Sequence, residues 1–132
     1  MKPQRYRATL RGFLQNKLCA TRHRCLGSGK FRKCSITIDD LLRLWDTQQG
    51  KCAISGIPML HSYATSNNRE LMCNVSIDRI DSKKDYTIDN IQLVCRNINF
   101  MKLDMKQEDF VWLCSQVSQH NQAPIALPTI SQ

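Results

Sequence analysis

The sequence has no long apolar run and no acidic residue among its first 38 positions. A helix crossing a bilayer needs about 20 consecutive apolar residues, and no stretch of the chain approaches that length. The N-terminus also lacks the apolar block of a secretory signal. The chain is therefore expected to be soluble and retained inside a cell. Regular cysteine pairs are missing as well. Seven cysteines, an odd number, are scattered at Cys19, Cys25, Cys34, Cys52, Cys73, Cys95 and Cys114. That pattern suits buried thiols in a reducing compartment, cytoplasm or nucleus, better than a disulfide framework. No internal repeat is visible. At 132 residues the chain fits one domain with a modest core.

What is abundant is positive charge, and it is unevenly placed. Residues 1–38 carry ten Lys/Arg, whereas residues 39–132 carry nine against eleven Asp/Glu, so the excess of +8 lies at one end. Arg5, Arg7, Arg11, Arg22, Arg24, Lys30, Arg32 and Lys33 are candidate contacts for a polyanion, with nucleic acid the leading one. An organelle-targeting peptide shares this Arg-rich, acid-poor composition and is the competing reading.

Periodicity organises the rest. Tyr6, Leu10, Leu14 and Leu18 recur every four residues and predict an amphipathic helix with basic flanks, stopped near Gly27-Ser28-Gly29. "SITIDDLLRLWDTQQG" predicts a second helix capped by Thr37 or Asp39, with Gly50 just past its end and Leu41, Leu42 and Trp45 inward. "KCAISGIPML" reads as a strand and turn, and "HSYATSNNRE" as a loop. "VSIDRI" and "NIQLV" are short strands joined by the turn-rich "DSKKDYTID". From Val94 the period shifts toward 3.6, which places Val94, Ile98, Met101 and Met105 on one buried stripe. A last helix is expected over Lys106 to Gln119 with Phe110, Val111, Cys114 and Val117 inward. The sum is a small α+β domain: a basic helix or arm over 1–29, a core over 30–120 and a loose tail over 121–132.

Along the helix after Val94, a second stripe holds Cys95, Asn99, Lys102 and Lys106. If the strand 76–80 packs against it, Asp78 and Asn99 converge. A carboxylate and an amide oxygen form a hard-oxygen pair suited to Mg²⁺ or Mn²⁺, and Lys102 is then placed to neutralise a phosphate. Read singly, each residue has a plainer role. Asp78 would anchor a turn, Asn90 would form an Asx turn, Arg79 would be a surface ion-pair partner, and His23 and His61 would be solvated.

Taken together, "CAISG…SIDRID…DYTIDNIQLVC…N..K" resembles the HNH (ββα-metal) endonucleases, over roughly residues 30 to 110. The resemblance implies a ββα-metal core. Asp78 and Asn99 become the metal ligands, Asn90 becomes the residue bracing the loop, and the ion becomes Mg²⁺ or Mn²⁺. The implied activity is hydrolysis of phosphodiesters in double-stranded DNA, leaving 5′-phosphate and 3′-hydroxyl ends. Two departures stand out. Arg79 occupies the place of the family's histidine base, and a guanidinium does not accept a proton from water; it binds phosphate instead. His61, Tyr63 and His23 are the candidates left to help the water. Asp85 stands where a glycine is common. The family likeness also implies a strand irregular at Asp78-Arg79, since neighbours on a regular strand face opposite ways.

Some relatives bind a structural zinc through two Cys-x-x-Cys pairs, but here each pair is halved, at Cys52 and at Cys95. Two cysteines do not close a tetrahedral site, so a structural zinc is not expected. The alternative to catalysis is an HNH-like module that binds nucleic acid without cutting it; a partner-binding protein with a targeting segment over 1–38 is a third reading. A palindromic target would require a homodimer, and no sequence feature marks a dimer surface.

Overall fold

The computed structural model describes residues 9–27, 33–63 and 68–122. In chain order the elements are α1 (Leu10–Gly27), α2 (Ile38–Thr47), α3 (Asn68–Met72), β1 (Val75–Arg79), β2 (Ile91–Cys95), α4 (Arg96–Lys102) and α5 (Gln107–His120), with one turn of 3-10 helix, Ile88–Asn90, just before β2. The α+β class expected from the sequence is what forms. No helix among the described residues is long and apolar enough to cross a membrane.

β1 and β2 form an antiparallel pair whose register runs unbroken from Val75 opposite Cys95 to Arg79 opposite Ile91. Val75, Ile77, Leu93 and Val94 are buried, β-branched or leucine residues suited to such a surface. Among the described residues, the outer edge of β2 is closed without a third strand. Gln48 accepts the Leu93 N–H at 3.0 Å and donates to the Leu93 carbonyl at 2.8 Å. Ala53 N–H also reaches that carbonyl, at 3.0 Å.

α1 covers the pair with Phe13, Leu14 and Leu18, all essentially inaccessible. Of the basic helix or arm expected over 1–29, the described part from Leu10 onward is a helix, and it packs into the core. Tyr6 lies outside the described residues. α2 begins at a capping box: Thr37 Oγ1 accepts the Asp40 N–H, and Asp40 accepts the Thr37 N–H. Its end fits the expectation closely, because Gly50 takes a positive φ of 67° and packs on Trp45.

Four expectations need correction. "KCAIS" is a tight turn, with Cys52 N–H bonded to Ile57 O and Gly56 N–H to Cys52 O. Gly56 at φ 74° folds the chain back before a strand can extend. The "NNRE" end of the expected loop is the short α3. Met101 is 57% exposed, because the inward side of α4 is the polar stripe instead. In α5 only Phe110 is buried, while Val111 and Val117 face water. The tail beyond 122 lies outside the described residues.

Candidate nucleic-acid and metal site

α4 follows β2 with no loop between them, and its first turns lie back across β1. Asn99 donates to Ser76 Oγ at 2.8 Å and to the Ile77 carbonyl at 3.3 Å. With both amide hydrogens committed to β1, the oxygen of Asn99 is left to accept. Asp78, the next residue of β1, lines the same cavity of about 420 Å³ as Asn99. The two residues singled out as a hard-oxygen pair are thus brought together.

Asp78 is only 5% exposed and is held by two side chains, Lys102 and Gln92. Lys102 Nζ approaches Oδ2 at 3.1 Å and Oδ1 at 3.3 Å. Gln92, directly opposite on β2, donates to Oδ2 at 2.9 Å. The second hydrogen of that Gln92 amide goes to Gln107 Oε1 at 3.0 Å, so the first residue of α5 fixes how the amide points. Lys102 is wholly buried and also donates to the Arg79 carbonyl at 3.0 Å. It is therefore not the exposed phosphate ligand that the sequence suggested. A buried ammonium requires a counter-ion, and Asp78 supplies one.

Two accepted bonds on Oδ2 and one on Oδ1 leave a lone pair on Oδ1. Together with the Asn99 oxygen, this gives two hard donors on one cavity, a partial set that fits Mg²⁺ or Mn²⁺ completed by water and phosphate oxygens. Among the described residues, no group of three His, Cys, Asp or Glu is arranged to hold an ion.

Asn90 occupies the position expected of a loop brace. Its side-chain oxygen accepts the Asp81 N–H at 2.9 Å, while its amide donates to the carbonyls of Asp81 and Asp85 at 3.0 and 2.9 Å. One buried side chain thereby ties down the whole connection between the strands. Asp85 makes its own link, accepting the Lys33 N–H at 3.0 Å.

Arg79 lines the cavity beside Asp78. The expected break in β1 is absent, since pairing continues through Arg79. As the last strand residue, Arg79 reaches the cavity by the length of its side chain. Its guanidinium lies 4.9 Å from the centre of the Tyr86 ring and donates to the Lys84 carbonyl at 3.0 Å.

The cavity has a cationic wall. Lys17 and Arg24 reach it from α1, Arg96 from α4 and Arg79 from β1. Burial, with Arg96 and Arg24 nearby, holds the Lys17 ammonium below the usual lysine value of 10.5. Lys17, on the expected basic helix, and Arg96 were not among the phosphate-binding candidates; of those candidates in the N-terminal segment that lie among the described residues, Arg24 lines the cavity. Arg22 is spent on the Ile36 carbonyl at 3.0 Å, and Arg11 forms a loose exposed pair with Asp39 at 3.8 Å. Lys33 is exposed. Arg5, Arg7, Lys30 and Arg32 lie outside the described residues.

The proposed water-activating residues are elsewhere. Tyr63 packs against Phe13 with its ring tilted, centroids 4.7 Å apart, and accepts from Asn16 at 2.7 Å. His61 lies edge-on to Phe13 and Trp45, at a different cavity beside Glu70. His23 is exposed on α1. None of the three lines the cavity around Asp78; the second carboxylate there is Asp104.

All seven cysteines are free thiols. Cys52, Cys73 and Cys95 are buried together in the core, Cys95 at the end of β2. Cys52 Sγ accepts the N–H groups of Cys95 and Ser55 at 3.3 and 3.4 Å. Donation from the Cys95 thiol, reinforced by these amides, pulls the Cys52 thiol down to about 5 and pushes Cys95 up.

No protein-family model, curated protein or solved structure matches the chain.

Proposed function

We propose that the chain is a metal-dependent DNA endonuclease of the HNH type, with β1, β2 and α4 as its ββα-metal core. The observation that carries this reading is the meeting of Asp78 and Asn99 at one cavity whose wall is Lys17, Arg24, Arg79 and Arg96. Asp78 and Asn99 would hold one Mg²⁺ or Mn²⁺. When bound, such an ion polarises the scissile phosphate and stabilises the leaving oxygen.

The protein's own groups supply the rest. Arg79 and Arg96 grip the phosphate, and Arg79 stabilises charge as it develops there. The Asp104 carboxylate takes the proton of the attacking water, a role that Arg79 does not fill. The water oxygen bonds to phosphorus as the bond to the 3′ oxygen breaks. The departing oxygen takes a proton from solvent, leaving 5′-phosphate and 3′-hydroxyl ends. Gln92 and Lys102 orient Asp78 without touching substrate.

Incubation of plasmid DNA with the protein and Mg²⁺ or Mn²⁺ tests this reading. Expected is conversion of supercoiled DNA, abolished by EDTA and by Asp78→Ala. DNA binding without cutting in either metal rejects it. A second reading, a non-catalytic DNA-binding module, draws on the Lys102 ion pair across Asp78 and on the lack of a histidine among the residues lining the cavity. That outcome would select it.

A further inference from the structure

Two large apolar side chains stand on the rim of the cationic cavity where the core has no use for them. Phe100 is 58% exposed and Leu103 is 73% exposed, and both line the cavity. Phe100 belongs to the last turn of α4 and Leu103 is the residue just past its end, so both stand where the helix meets the cavity.

Leu103 is also strained. Its backbone sits at φ 49°, ψ −129°, a conformation that side chains bearing a Cβ rarely adopt. Burial does not compensate for this, because the side chain is in water. Its neighbours hold it in place. Lys102 before it is locked by Asp78 and the Arg79 carbonyl. The carbonyl of Asp104 after it accepts from Ser82 Oγ at 3.4 Å. An exposed leucine on a fixed, strained backbone is preorganised to enter something.

The cations around it say what that is. Lys17, Arg24, Arg79 and Arg96 line the same cavity, so the partner carries phosphates. Two of these arginines are stacked on aromatic rings: Arg79 on Tyr86 at 4.9 Å and Arg96 on Phe100 at 5.1 Å. Flat guanidinium and aromatic faces receive nucleobases freed from their stack. Apolar side chains inserted between base steps free and kink them.

We infer that Leu103, with Phe100 beside it, is a wedge that opens a base step of duplex DNA at the cavity, so that the substrate is a duplex deformed or weakened at the bound step. This rests on the DNA reading of the same cavity, but not on catalysis.

The test uses the full chain in EDTA, with a duplex carrying 2-aminopurine at a central mismatch and a perfectly paired control. Expected is a rise in 2-aminopurine fluorescence on binding and a preference for the mismatched duplex of about ten-fold, since a weakened step is cheaper to open. Leu103→Ser should remove both and leave the salt dependence of binding unchanged, because the phosphate contacts persist. Leu103 is exposed, so the variant folds; thermal melting checks this. Equal affinity for the two duplexes with no fluorescence change overturns the wedge. So does a wild-type dimer in sedimentation that Leu103→Ser converts to monomer with fluorescence unaltered, which would make this rim a contact between copies of this chain. Cutting in Mg²⁺ without unstacking sinks the wedge alone; unstacking without cutting sinks the nuclease alone.

Discussion

Lys102 and Asp78 neutralise each other beside the cavity, Nζ to Oδ2 at 3.1 Å, with side-chain exposures of 0% and 6%. Each makes the burial of the other tolerable. Replacing Lys102 by Met leaves a buried carboxylate without its counter-ion, and the expected loss is about 3–5 kcal/mol of stability, read by denaturant unfolding. The double variant Lys102→Met/Asp78→Leu should recover much of this. A single variant as stable as the parent would show that the pair is not holding the site.

Gln92 sits one bond further out, between Asp78 and Gln107. Gln92→Leu keeps the volume and frees the carboxylate to rotate. The Mg²⁺ or Mn²⁺ concentration needed for half-maximal cleavage should rise about 10–100-fold, as for lost outer-shell partners of metal ligands. Cleavage at saturating metal should change far less, and a titration of rate against metal separates the two.

Asp104→Asn keeps shape and removes the proton acceptor. On the proposed mechanism cleavage falls by about 10²–10⁴-fold, while DNA affinity measured in EDTA is unchanged. Undiminished cleavage would move the base to another group.

Lys17 gives a pH signature. Its ammonium is disfavoured in the free protein by burial and by Arg96 and Arg24. A phosphate in the cavity favours the charged form, so binding takes up a proton. Affinity should therefore be full at neutral pH and decline as the pH rises through the lowered lysine value. Lys17→Arg, charged throughout, should flatten that decline. Fluorescence anisotropy with labelled duplex from pH 7 upward measures both.

Much of this was legible in the residues. The two short strands at "VSIDRI" and "NIQLV", the turn between them and the cap at Thr37 each had a local cause that the fold respects. The errors around α4 share one origin. α4 has only seven residues, and its inward side carries Asn99 and Lys102, so a search for apolar stripes turned it toward Met101. A buried lysine is silent in hydrophobic periodicity because its burial depends on a partner 24 positions away. Lys17 and Arg96 were likewise invisible as a pair, since only the packing of α1 against the strands gathers them.

α1 sends Phe13, Leu14 and Leu18 into the core and offers Lys17 and Arg24 to the cavity from the same part of its surface, with Lys17 Nζ 5.3 Å from the centre of the Phe13 ring. Grip and scaffold share one helix, so neither can be shed without the other. Deleting residues 1–29 would not yield a weakened but intact remnant; it would strip the hydrophobic lid from the strand pair. A detachable tether could be swapped for another to retarget the protein, whereas this one is inherited whole.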